Sequence, residues 1–180
     1  MVGLSFVRST EDVEQLHHQL RERTPHRIGT VLKIETQVAF DNLPHLLLAG
    51  LQAPPLGVMV ARGDLAVEVG FERLAEVQEE ILWLCEAAHV PVIWATQVLE
   101  SLTKKGVPSR AEVTDAAMSE RAECVMLNKG PFICDAVRTL DNILRRMQAH
   151  QTKKRAMLRP LHVAHHVLEE LACRETAVKS

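Results

Sequence analysis

The chain has 180 residues, 47% of them hydrophobic and 24% charged, with a formal net charge of −2. That is enough chain for one domain with a sizeable core, and the interspersed charges leave no basic footprint for DNA or RNA. No apolar stretch approaches the roughly 20 residues of a membrane helix, and no basic flank followed by an apolar run marks a secretory signal.

The first expected strand covers Gly3 to Val7, followed by Arg8. Ser9 or Thr10 can cap a helix to about Glu22, with Glu11 and Asp12 in its first turn. A second strand, Ile28 to Ile34, ends in Lys33-Ile34-Glu35. The helix expected next, near Val38 to Ala49, contains Pro44, which fits only an early turn or a break. The third strand, Leu56 to Ala61, is almost wholly apolar, as suits burial on both faces. It leads to Arg62-Gly63-Asp64 at the strand end.

A long helix is expected over Phe71 to His89, with Leu74, Val77, Ile81, Leu84 and Ala88 at helical spacing. The fourth strand, Pro91 to Ala95, leads to Thr96-Gln97 and a short helix to Lys104. Ser109-Arg110-Ala111-Glu112 has the form of a capping box opening a helix to about Arg121. The fifth strand is Cys124 to Leu127, and a last helix runs from about Phe132 to His150. Residues 151–180 form a basic, histidine-bearing tail, with Lys153-Lys154-Arg155, His162, His165 and His166. Its histidines and Cys173 match no standard zinc spacing. Cys85, Cys124, Cys134 and Cys173 form no Cys-x-x-Cys pair, so buried free thiols in a reducing, cytoplasmic setting are expected.

Strands and helices thus alternate at intervals of roughly 25 to 35 residues, the length of a strand–helix unit, which implies a parallel sheet. Such a sheet is either part of an eight-stranded barrel or an open doubly wound sheet. The latter would expect a glycine-rich phosphate turn after its first strand, and none is present. In a barrel, catalytic groups gather where strands end.

Three strand ends carry such groups. Glu35 and Asp64 offer two carboxylates to one divalent cation, with substrate oxygens and water completing the shell. Lys33 lies two residues before Glu35, so both point to one side of an extended segment. Its cation suits a phosphoryl group or an enolate. Gly63 permits close backbone approach, and Thr96 brings a hydroxyl to the expected start of a helix. Taken singly, Lys33 and Glu35 would read as a surface ion pair. Arg62-Gly63-Asp64 spells an adhesion tripeptide, but it lies at a buried strand end.

The segments Lys33-Ile34-Glu35, Met59-Val60-Ala61-Arg62-Gly63-Asp64-Leu65, Ala95-Thr96-Gln97-Val98-Leu99-Glu100-Ser101 and Pro108-Ser109-Arg110-Ala111-Glu112 closely resemble pyruvate kinase in wording, order and interval. The resemblance covers roughly Val2 to His150. It implies a partial TIM (β/α)8 barrel of the phosphoenolpyruvate/pyruvate-binding superfamily. The five parallel units would be its strands four to eight, occupying residues 1–150 and followed by the 151–180 tail.

By the same resemblance Glu35 and Asp64 hold Mg²⁺ or Mn²⁺. Lys33 stabilises the transferring phosphoryl group and the enolate. The backbone at Gly63 and Asp64 binds the substrate carboxylate, and Thr96 lies on the proton-delivery side. The reaction implied is phosphoryl transfer from phosphoenolpyruvate to ADP, giving pyruvate and ATP in glycolysis. The family also uses K⁺, whose ligands are not in this chain. The helix of Arg110 and Glu112 is implied to lie near a subunit contact.

After the fifth strand the family's Ser-Gly-Glu-Thr is replaced by Asn128-Lys129-Gly130-Pro131. The first three barrel strands, with a phosphate-binding arginine, are absent, as are the capping and C-terminal regulatory domains. The chain is therefore expected to be truncated, inactive alone, and prone to homo-oligomerise or associate through open sheet edges. Two other functions stay open on the residues: a Mg²⁺-dependent aldolase or lyase of the same superfamily, and a non-catalytic remnant that binds a partner.

Overall fold

The structure is a computed structural model that describes residues 1–151. Five strands form one parallel sheet: β1 (Val2–Leu4), β2 (Thr30–Ile34), β3 (Leu56–Ala61), β4 (Val92–Val98) and β5 (Cys124–Leu127). Their spatial order follows the chain, β1-β2-β3-β4-β5, with no reversal. A doubly wound sheet changes direction at a switch point; an arc of a barrel does not. The order therefore decides for the partial barrel.

Helices α1 (Thr10–Arg23), α2 (Gln37–Asp41), α3 (Leu43–Gly50), α4 (Arg62–Val69), α5 (Leu74–Ala87), α6 (Glu100–Lys105), α7 (Arg110–Met118) and α8 (Ile133–Gln151) fill the crossovers. Among these described helices none is long and apolar enough to cross a membrane.

The register sorts the strand residues into two faces. Leu32 aligns with Val58 and Val92, and Ile34 with Val60 and Trp94. None of these six is more than 2% exposed. This outer face packs against the helices through Val77, Ile81 and Cys85 of α5, Leu43 and Leu46 of α3 and Val13 of α1. The alternate rows, Lys33–Met59–Ile93–Cys124, form the inner face. Lys33, Met59 and Ile93 are only half-buried there, and Cys124 is exposed.

Local signals explain most element ends. Asp12 Oδ2 accepts from the Arg8 and Ser9 amides at 2.8 and 3.0 Å, capping α1. Pro44 sits in the first turn of α3, where its missing N–H goes unneeded, so the expected Val38 to Ala49 helix divides at Asn42. The capping box forms: Ser109 Oγ accepts from the Glu112 amide at 3.2 Å, and the Glu112 carboxylate accepts from Ser109 N at 2.8 Å. The other Glu112 oxygen accepts from Ser101 N at 2.5 Å, tying α7 to α6. Burial opposes the charge on Glu112, but these amides outweigh it and hold its carboxyl below the usual range.

Arg62-Gly63-Asp64, at the end of β3, forms the first turn of α4, a helix the sequence does not announce, with acidic Asp64 favourably placed near the helix N-terminus. Two expectations need correction. The helix after β4 begins at Glu100 rather than Gln97, because β4 continues to Val98 with a shifted register after Trp94. Thr96 consequently does not open a helix. Finally, Cys85 is buried, but Cys124 and Cys134 are exposed, so burial does not account for every thiol. The tail residues Lys153 to Arg155, His162, His165, His166 and Cys173 lie outside the described residues.

Candidate active site

Lys33 and Glu35 alternate along the end of β2 and meet as the extended chain requires. Lys33 Nζ lies 2.7 Å from Glu35 Oε1 and donates to Ser5 Oγ at 2.8 Å. The Phe6 amide donates to Glu35 Oε2 at 2.5 Å. Both carboxylate oxygens are thereby engaged, which is what lets Glu35 sit at 2% exposure without an uncompensated charge. Lys33 keeps 27% exposure and can still reach a ligand. The turn that delivers these partners, Ser5-Phe6 after β1, has Phe6 at a φ of 53°.

Asp64 stands one strand over. β2 and β3 pair through Ile34 and Val60, so Glu35 and Asp64 leave neighbouring strands at the same end of the sheet. Asp64 is exposed and takes no hydrogen bond or ion pair among the described residues. No group of three or more acidic, histidine or cysteine side chains gathers for a metal among those residues. Glu35 and Asp64 are thus two carboxylates at neighbouring strand ends.

The third strand end is built differently. β3 pairs with β4 through Ala61 and Ala95, which brings Gly63 against Thr96. A Cβ on Gly63 would lie 2.8 Å from Thr96 Cγ2, closer than side chains pack. Gly63 is thus required by Thr96, a neighbour in the fold, before any ligand arrives. Thr96, Gln97 and Leu99 have φ of 76°, 59° and 48°. Left-handed backbone costs a non-glycine residue roughly 1–2 kcal/mol, and the turn needs outside support.

Arg62 supplies it. Its Nε donates to Ala95 O at 2.8 Å and its Nη2 to Thr96 O at 2.5 Å. Nη1 pairs with Asp115 of α7, and the guanidinium lies 4.7 Å from the Trp94 ring centroid. Sequence reasoning passed over Arg62, Asp115 and Ser5 as site residues. Only Arg62 carried a signal, as a cation immediately before the glycine at a strand end. The Asn128-Lys129-Gly130-Pro131 loop folds onto α6: Phe132 N donates to Thr103 O at 3.1 Å, and a Cβ on Gly130 would fall 2.4 Å from the same oxygen.

The family model "Pyruvate kinase, barrel domain" matches residues 1–137. The chain belongs to the pyruvate kinase family. It is 39% identical over 158 residues to a pyruvate kinase of Mycobacterium tuberculosis, covering 84% of this chain and 32% of the relative. Against the pyruvate kinase of Kluyveromyces lactis the figures are 39% over 146 residues, 78% and 28%. For that of Debaryomyces hansenii they are 36% over 168 residues, 90% and 31%. The chain thus spans about a third of the length of these pyruvate kinases.

Proposed function

We propose that this chain supplies the metal- and phosphoryl-binding side of a pyruvate kinase site, at which a phosphoryl group passes from phosphoenolpyruvate to ADP. The observation that carries the proposal is the Lys33–Glu35 pair, 2.7 Å apart at the end of β2 and one strand from the carboxylate of Asp64, which has no partner among the described residues.

The residues suit Mg²⁺ or Mn²⁺. Mg²⁺ is usually held through one or two carboxylates plus substrate phosphate and water. Each carboxylate oxygen has two lone pairs, so Glu35 retains acceptor capacity beyond its bonds to Lys33 and Phe6. When bound, the ion would offset charge on the phosphoryl oxygens. K⁺, used elsewhere in the family, would find its ligands outside this chain.

The chain's own groups do the rest. The ammonium of Lys33 opposes the charge that moves from the phosphoryl group to the enolate oxygen. The first-turn amides of α4, at Gly63 and Asp64, have no intrahelical partners and suit the substrate carboxylate. The Thr96 hydroxyl stands on the side from which the enolate carbon takes its proton. Phosphoryl transfer depends almost wholly on such positioning. Five strands leave one side of the site unbuilt, so the 180 residues by themselves are proposed not to turn over.

Calorimetry with Mn²⁺ tests the metal site. Binding by the wild-type chain that is lost in Glu35→Gln is the expected result, and equal binding by both removes it. A coupled pyruvate assay with Mg²⁺, K⁺, phosphoenolpyruvate and ADP tests the rest. Turnover of about 1–10³ s⁻¹ by the isolated monomer would contradict the half-site argument.

A further inference from the structure

The Thr96 turn adopts a conformation its own residues disfavour. Thr96 is β-branched, and positive φ is rare for such residues. A backbone of this kind persists only where its surroundings over-determine it. Behind the turn, Val98 and Leu99 are fully buried and fix its far side. In front, the Arg62 guanidinium donates to two consecutive carbonyls, Ala95 at 2.8 Å and Thr96 at 2.5 Å. Arg62 itself is only 9% exposed, clamped between Asp115 and the Trp94 ring. Gly63 holds the methyl side of the same threonine.

We propose that Arg62 is a positioning residue of this site: its forked guanidinium sets the left-handed Thr96–Gln97 turn and thereby the place of the Thr96 hydroxyl. The charge of Arg62 is directed at backbone carbonyls and at Asp115, so its part is geometric rather than one of contact with the phosphoryl group. The link to substrate rests on the function proposed above; the hold on the turn does not.

Arg62→Lys separates the fork from the ion pair. Lysine can face Asp115 as a point charge, but it cannot donate in a fixed plane to two carbonyls. NMR on the full chain reads the outcome through the amide–Hα coupling and carbonyl shift of Thr96. Trp94 emission in a Trp83→Phe background gives a second readout. In Arg62→Lys the Thr96 coupling should leave the left-handed range and Trp94 emission should shift, while signals from β2 and β3 stay in place. Guanidinium ion added to Arg62→Ala should restore both readouts.

A Thr96 coupling and carbonyl shift unchanged in Arg62→Lys would overturn the proposal. Should that variant not fold, Asp115→Asn removes the acidic anchor that aims the guanidinium, so the fork loosens on its two carbonyls. It should speed hydrogen exchange in the 96–99 amides by more than about tenfold, as local opening becomes easier; unchanged exchange overturns the proposal equally. Adding phosphoenolpyruvate with Mg²⁺ to an assembly that turns over probes the functional reading separately. A Thr96 signal that answers to Arg62→Lys but not to substrate would remove the substrate link and leave Arg62's hold on the turn intact. In an assembly that turns over, Arg62→Lys should lower kcat on the order of 10²-fold, more than it raises KM, as misplacement by an ångström does.

Discussion

On the outer face of the sheet Leu32, Val58, Val60 and Trp94 are completely buried, whereas on the inner face Lys33 and Met59 are half-open and Cys124 is exposed. The two faces alternate residue by residue along the same strands. Burial is worth roughly 25 cal/mol per Å² of apolar surface, so the outer face carries the stability of the fold. The inner face carries its polar chemistry at the strand ends. Changes on the two faces should therefore fail in different assays.

The largest effect belongs to the outer face. Trp94→Ala removes a fully buried indole and should destabilise the chain by about 3–5 kcal/mol, read as a lower urea midpoint. A loss below about 1 kcal/mol would mean that the helices do not pack on β4 as described.

Next comes Lys33→Met, at the inner face's polar end. In an assembly that turns over, it should reduce kcat by about 10²–10³-fold, with a smaller rise in KM. It should also destabilise, because it leaves the buried Glu35 carboxylate, among the described residues, with only the Phe6 amide for a partner. Adding Glu35→Gln should restore part of that stability but none of the rate. Activity within a few-fold of wild type would make Lys33 purely structural.

The same division decides what could be read from sequence. The covered rows announce themselves through unbroken apolar runs such as Leu56 to Ala61, and the capping residues Ser9, Pro44 and Ser109 mark helix starts. The meeting of Lys33 and Glu35 was legible because strand spacing puts both on one side of the chain. The Thr96 turn was not legible. Its shape depends on Arg62 and Gly63, more than thirty residues earlier, and on Asp115 further along the chain. Local propensity does not assign a left-handed threonine, and no side-chain cap marks the helix that starts at Arg62. Exposure of Cys124 also escaped, because an apolar strand does not say which of its faces is covered.

A smaller effect compares thiols. Burial, with help from the charge of Glu123, pushes Cys85 up from the ordinary 9.0 to about 12. The folded state therefore keeps this proton after the unfolded chain has lost it. The contribution is intact below pH 9 and declines as pH rises toward 12. At one pH unit above 9.0 the loss is about 1.4 kcal/mol, and Cys85→Ala should abolish that part of the alkaline slope. Near neutral pH, Cys124 and Cys134 should react with a maleimide while Cys85 does not. An alkaline slope identical in Cys85→Ala would show that this thiol stays protonated in both states or in neither.

The smallest effect expected is the most informative about the inner face. Met59 pairs with Lys33 and Ile93 in the middle of that face and is only partly buried, although its strand neighbours Val58 and Val60 are wholly covered. If the face is as open in solution, Met59→Ala removes few contacts, and water already reaches the space the side chain leaves. The loss should then be about 1 kcal/mol or less, well under the roughly 2–5 kcal/mol of a buried methionine. A measured loss in that upper range, particularly one that grows with protein concentration, would mean that something covers the inner face in solution, since association adds to apparent stability by mass action. The comparison between the faces would then hold for the isolated fold and fail for the assembled one.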